Sequence, residues 1–187
     1  MSKTKKARVS PIGTIVILVG IVIAIVGIVC MSTTALTLTL KAGGETEVGD
    51  LITGFGLAFG APYDVTVGDF TYTAEPEMNT TVLIFFIVLA LGIVMGIIAM
   101  LLRVMKQKKI STIVGLLGGL LAIVGGVLFF FVPNFVSEDL INSVDAFNKI
   151  LDFLGGSVAL TLGPGSIIPA IGGIVGGAAI GVGSILR

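Results

Sequence analysis

Four stretches of this chain run for at least 20 residues without a charged side chain: Ile12–Met31, Thr81–Leu102, Ile110–Val132 and Ile167–Leu186. At about 1.5 Å per residue, a helix of about 20 residues covers about 30 Å, the hydrocarbon thickness of a bilayer. Lipid offers no partner to backbone N–H and C=O groups, so a spanning segment must satisfy them internally. Each run is therefore expected to be a transmembrane helix. The chain is 55% hydrophobic and 12% charged, against roughly 25% charged in soluble proteins. What remains is too short to cover four such helices in a water-soluble fold. The first run follows a basic start but exceeds the apolar core of about 7–15 residues typical of a signal peptide, so it is expected to stay as a span.

The charges separate by loop. Lys3, Lys5, Lys6 and Arg8 precede the first run, Arg103, Lys106, Lys108 and Lys109 lie in "RVMKQKK" between the second and third, and Arg187 ends the sequence. All eleven acids fall in the two other loops, with only Lys41 and Lys149 as basic company. Short basic loops stay on the cytoplasmic side. The expected localisation is a cell membrane, with both ends cytoplasmic and residues 32–80 and 133–166 facing outward. Lys5, Lys6, Arg8, Arg103, Lys106, Lys108 and Lys109 are then topology determinants that also meet anionic lipid headgroups. They are few and have no interleaved aromatics, which gives no support to nucleic-acid binding.

Helix association in lipid depends on close packing, which small residues permit. Gly13, Gly20 and Gly27 recur every seven residues on the first span. Gly92, Gly96 and Ala99 share a face of the second, and Gly115, Gly119, Ala122 and Gly126 a face of the third. The fourth carries Gly172 with Gly176, and Gly173 with Gly177 and Gly181. These are expected helix-packing positions, with the partner either the other spans or another subunit. Pro169 is expected in the first turn of its helix, where its missing N–H costs nothing.

The loops have patterns of their own. In "TALTLTLK", Leu36, Leu38 and Leu40 alternate with Thr37, Thr39 and Lys41, as a half-buried strand would. "AGGE" offers a turn. "DVTVGDFTYTA" alternates again, with Gly68 as bulge or turn, while "GDLITGFGLAFGAPYD" between them fits no pattern. In the second loop Leu140, Val144, Phe147, Leu151 and Leu154 lie on one helix face, with Ser137 as cap and Gly155 as stop. "SVALTLGPG" then reads as another strand, through Val158, Leu160 and Leu162. The expectation is a membrane all-α four-helix bundle with a small extracytoplasmic antiparallel β-sheet plus one amphipathic helix covering it. The chain is read as a single integral membrane domain over residues 1–187.

Chemistry is sparse. The chain has no histidine and one cysteine, Cys30, so the commonest general base is missing and no intrachain disulfide can form. Asp64 with Asp69, Glu75 with Glu77, and Glu138 with Asp139 have no metal-ligand spacing. "NTT" at Asn79 is a glycosylation sequon. The spans hold no ionisable side chain, only Thr14, Ser111, Thr112, Ser166, Ser184 and a few threonines at their ends, whereas proton relays and ion pathways use ionisable groups. No catalytic residue, cofactor or metal site is expected.

Four spans, a long strand-forming first outer loop and a shorter second loop with a helix and a strand resemble the claudin-type tetraspan plan. The resemblance covers most of the chain as architecture. It implies no junction chemistry, because Gly56-Leu57 is followed by Ala58, no tryptophan occurs, and the outer loops hold no cysteine. The functional expectation is a non-enzymatic membrane protein acting through assembly. It would be an accessory or structural subunit of a membrane complex, or a self-associating envelope or adhesion protein. Its partners would be the bilayer and other membrane subunits or itself. The alternative is a channel or transporter component.

Overall fold

The computed structural model describes residues 11–42, 45–67, 70–135, 138–153 and 155–186. Lys5, Lys6, Arg8, the Gly43–Gly44 turn, Gly68, Asp69, the Ser137 cap, Leu154 and Arg187 lie outside the described residues, as do the side chains of Leu140, Phe147 and Leu151. Each apolar run forms one unbroken helix: α1 (Pro11–Val29), α3 (Thr80–Val104), α4 (Lys108–Phe129) and α6 (Pro164–Ile185). All four are long and apolar enough to cross a membrane. Between α1 and α3 come β1 (Thr34–Ala42), β2 (Glu45–Thr53), the short α2 (Gly54–Phe59), β3 (Tyr63–Val67) and β4 (Phe70–Ala74). Between α4 and α6 come α5 (Glu138–Phe153) and β5 (Ser157–Leu162). These cap elements all lie at one end of the bundle. The start of α1, the α3–α4 turn and the end of α6 lie at the other.

In the bundle, α6 runs between α1 and α4, while α3 packs along α4 and meets α1 over a shorter stretch. Glycine makes this order possible. A Cβ on Gly20 would lie 2.6 Å from the Gly176 carbonyl oxygen, and one on Gly119 2.6 Å from that of Gly177. A Cβ on Gly126 would meet the Ala170 oxygen at 2.6 Å, one on Gly173 the Gly126 Cα at 2.7 Å, and one on Gly27 the Pro169 Cα at 3.2 Å. The backbones thus touch at successive levels. Helix α6 has two glycine faces, Gly172, Gly176 and Gly183 toward α1 and Gly173 and Gly177 toward α4. Helix α4 has two as well. Gly115, Gly119 and Gly126 face α6, whereas Gly118 and Gly125, which the spacing argument passed over, face Met95 and Leu89 of α3. Gly92 packs on Ala122, and Gly96 on Ile180. Gly181 differs, because a side chain there would meet nothing within 4 Å.

Pro169 also departs from expectation. Helix α6 begins at Pro164, three residues before the predicted start. Pro169 is therefore its sixth residue and removes a bond that the Gly165 carbonyl would otherwise accept.

The cap is built on β1, the middle strand of an antiparallel sheet ordered β2–β1–β5. The strand leaving α1 thus pairs with the strand entering α6, through Leu36↔Leu162, Leu38↔Leu160 and Leu40↔Val158. Thr37 Oγ1 lies 2.7 Å from Thr161 Oγ1, and Leu36 is fully buried. β1 is a strand, as "TALTLTLK" predicts, but Ala35, Leu36 and Thr37 are all buried and Leu38, Thr39 and Leu40 all half-buried, because both edges of β1 are paired at the centre of the sheet and its pairing with β2 is irregular around Ala35 and Leu36. The Ala35 carbonyl accepts from Gly163 N at 2.8 Å and Ser166 Oγ at 3.0 Å, which joins the sheet to the start of α6.

The stretch without a pattern contains the end of β2 and helix α2. Thr53 Oγ1 caps α2 by accepting from Gly56 N, and Gly60 ends it in the left-handed region at φ 66°. β3 and β4 form a separate two-stranded ladder. Helix α5 lies against β5, where the Asn148 amide both donates to the Val158 carbonyl and accepts from its N–H, each at 2.7 Å. Asn79 caps α3 by accepting from Thr81 N and Val82 N, and its Nδ2 donates to the Phe135 carbonyl. The sequon asparagine is thereby committed to joining two loops.

Gly119→Ala forces α4 from α6 and is expected to lower stability by about 1–3 kcal/mol. Gly181→Ala meets open space and should raise it by up to about 1 kcal/mol through helix propensity. Thermal unfolding of the two variants in detergent measures the contrast.

Candidate functional site

Apart from Ser166 at the cap end, the buried polar side chains of the long helices gather at the end opposite the cap. Helix α3 stops in a Schellman turn: Lys106 N donates to the Arg103 carbonyl at 3.0 Å and Gln107 N to the Leu102 carbonyl at 2.9 Å. Lys106 occupies the left-handed position at φ 65°, where glycine is the usual residue. Arg103 lies within α3, whose helix runs two residues beyond the predicted span. It is only 4% exposed. Its guanidinium enters the bundle beside Gly13 and Gly183, neither of which has a side chain to obstruct it.

There Arg103 caps α6. Nη1 donates to the Gly183 carbonyl at 2.7 Å and, more weakly, to that of Ser184 at 3.4 Å; Nη2 donates to the Leu186 carbonyl. These carbonyls belong to the last turn, where a helix presents unpaired acceptors and the negative end of its dipole. Arg103 Nε has no partner. The neighbouring hydroxyls also serve backbone acceptors. Ser111 Oγ donates to the Ala99 carbonyl at 2.7 Å and Ser184 Oγ to that of Ile180 at 2.7 Å. The single Thr112 proton is shared between the Lys108 and Ser184 carbonyls, each 3.0 Å away. Ser111 and Thr112 therefore bind helix to helix, while Ser184 bonds within α6.

Beside this cluster an open groove of about 420 Å³ is lined by Pro11, Thr14 and Ile15 of α1 together with Arg103, Val104 and Lys106. Of the remaining basic residues expected here, Lys109 is exposed and Lys108 half-buried. The sequence placed Arg103 among surface charges. A glycine opposite it on α1 and another on α6 were the available signals, but they show no pairing until the helices are arranged.

The cap has a different character. Glu45, Glu47, Asp50, Glu75, Glu77, Asp145 and Asp152 are exposed. Among the described residues, no three His, Cys, Asp or Glu side chains stand together as metal ligands would. Cys30 is free and half-buried. Rings of Phe55, Phe59 and Phe86 form one aromatic cluster under the cap, and Phe85, Phe129 and Phe135 another. Comparison with protein-family models, curated proteins and solved structures found no match to this chain.

Arg103→Leu leaves the terminal carbonyls of α6 unpaired and is expected to cost about 1–3 kcal/mol. Gly13→Ala displaces the same guanidinium. Combined, the two should cost less than the sum of the single changes, because both act through one contact; a double-mutant cycle on unfolding temperature measures it.

Proposed function

We propose that this chain is a non-enzymatic integral membrane protein that acts through assembly. It serves as an accessory or structural subunit of a membrane complex, or as a self-associating envelope or adhesion protein. The membrane reading draws support from the outer surface of the bundle. Ile15, Val22, Leu91, Leu120 and Val182 are each about half exposed or more, and they lie on all four long helices. Water would leave that apolar belt uncovered, whereas lipid covers it. The charge distribution supports placing the Arg103–Lys109 turn in the cytoplasm and the cap outside. The claudin-type plan is proposed for the architecture alone.

The observation that carries the assembly reading is β2. It is the free edge of its sheet, and all of Glu45–Asp50 is exposed. Val48, 63% exposed, projects from this edge, which pairs with no further strand of the sheet among the described residues. The acids along it suppress indiscriminate strand pairing, as a selective contact surface requires. Conduction through a single copy is disfavoured, because the backbones of α6 and its neighbours touch at Gly20–Gly176 and Gly119–Gly177.

Mass measurement after purification in mild detergent should find an oligomer or a stoichiometric co-purifying subunit, and Val48→Lys should disperse it. A monodisperse monomer without a partner overturns the reading. For orientation, in a Cys30→Ala background an impermeant thiol reagent on intact cells should label Val48→Cys and leave Met105→Cys unlabelled.

A further inference from the structure

We propose that the groove between the start of α1 and the end of α3 holds the phosphate headgroup of an anionic phospholipid. The inference rests on the membrane-spanning reading above and adds a defined ligand site to it.

Three observations converge on the groove. The first is a buried cation. Arg103 lines the groove, is 96% removed from solvent, and has neutral carbonyls as its hydrogen-bond acceptors. Its Nε is unpaired. Among the described residues at this end of the bundle, no Asp or Glu side chain stands beside Arg103. A buried cation held only by neutral carbonyls is costly, and an anion in the adjoining groove offsets that cost.

The second is Lys106. The chain has 27 glycines, yet the left-handed position closing α3 is a lysine at φ 65°. That choice strains the backbone and puts a second cation on the groove wall. The third is the start of α1, whose first residue Pro11 lines the groove and whose dipole favours an anion. Thr14 adds a hydroxyl, while Ile15 and Val104 give the groove an apolar side. Two cations, a helix start and apolar walls at the end of a span match a phosphate attached to acyl chains.

The test uses the purified full chain in non-ionic detergent, titrated with phosphatidylglycerol, phosphatidylcholine or inorganic phosphate. Binding is read by native mass spectrometry and unfolding temperature. Phosphatidylglycerol should bind more tightly than phosphatidylcholine and raise the unfolding temperature. Lys106→Gly relieves the backbone strain, so without lipid it should unfold at the same or a higher temperature than the wild type. It should nevertheless bind phosphatidylglycerol at least about fivefold more weakly. Lys41→Gln, the same loss of charge at the cap, should leave binding within twofold.

Equal binding of the two lipids, or undiminished binding by Lys106→Gly, overturns the proposal. Inorganic phosphate matching phosphatidylglycerol overturns the lipid assignment in favour of a free anion. Failure of the membrane reading is distinguishable, because the chain would then remain dispersed without detergent.

Discussion

The structure depends on direct backbone contact between helix α6 and the two helices beside it. In lipid, apolar side chains gain little by leaving one apolar surrounding for another. On the membrane reading proposed above, attraction between the long helices must then come from many short-range contacts, each weak and steeply dependent on distance. A glycine face brings whole stretches of backbone into that range. Helix α6 meets α1 through Gly172, Gly176 and Gly183 and α4 through Gly173 and Gly177. It pairs two neighbours at once because adjacent glycines in "GG" doublets point about 100° apart around the helix.

The cap follows from where the helices end. Helices α1 and α6 lie side by side, so the strand leaving one begins beside the strand entering the other. β1 and β5 pair without a long connection, and the Ala35 carbonyl bonds both Gly163 and Ser166. Two asparagines hold the remaining pieces. Asn148 meets the Val158 backbone as a neighbouring strand would and covers that part of the sheet edge. Asn79 couples the start of α3 to the chain leaving α4. Side-chain amides suit such junctions, since each both donates and accepts. β2 is left as the open edge, and the assembly proposal is built there.

At the opposite end the same close packing creates a polar problem and answers it. The last carbonyls of α6 have no partners within their own helix. Gly13 and Gly183 open a path for Arg103, whose guanidinium bonds them. The hydroxyls of Ser111, Thr112 and Ser184 likewise serve backbone acceptors. Their satisfaction within the bundle accords with an assembly role, and the buried charge of Arg103 beside Lys106 is what the lipid proposal turns on.

Much of this was legible in the sequence. Uninterrupted apolar runs specified four long helices, because a helix is the local solution to backbone hydrogen bonding. Alternating Leu and Thr specified β1, and heptad-spaced glycines marked the contact face of α1. Signals of this kind are periodic and local. The second glycine face of α4, at Gly118 and Gly125, depends on α3 and α6 lying on different sides of it, which no spacing within α4 reveals. Helix α2 was illegible because six residues are too few to show a period.

Arg103 was read as a surface charge for the same reason. Its burial requires two glycines from helices that precede and follow it by about 80 residues or more. The sequence by itself determined which segments are helical and which faces are smooth, since these follow from backbone chemistry and side-chain size. Tertiary structure decided which smooth faces meet, which edge stays open and which cation is enclosed, since each requires residues distant in sequence to occupy one place.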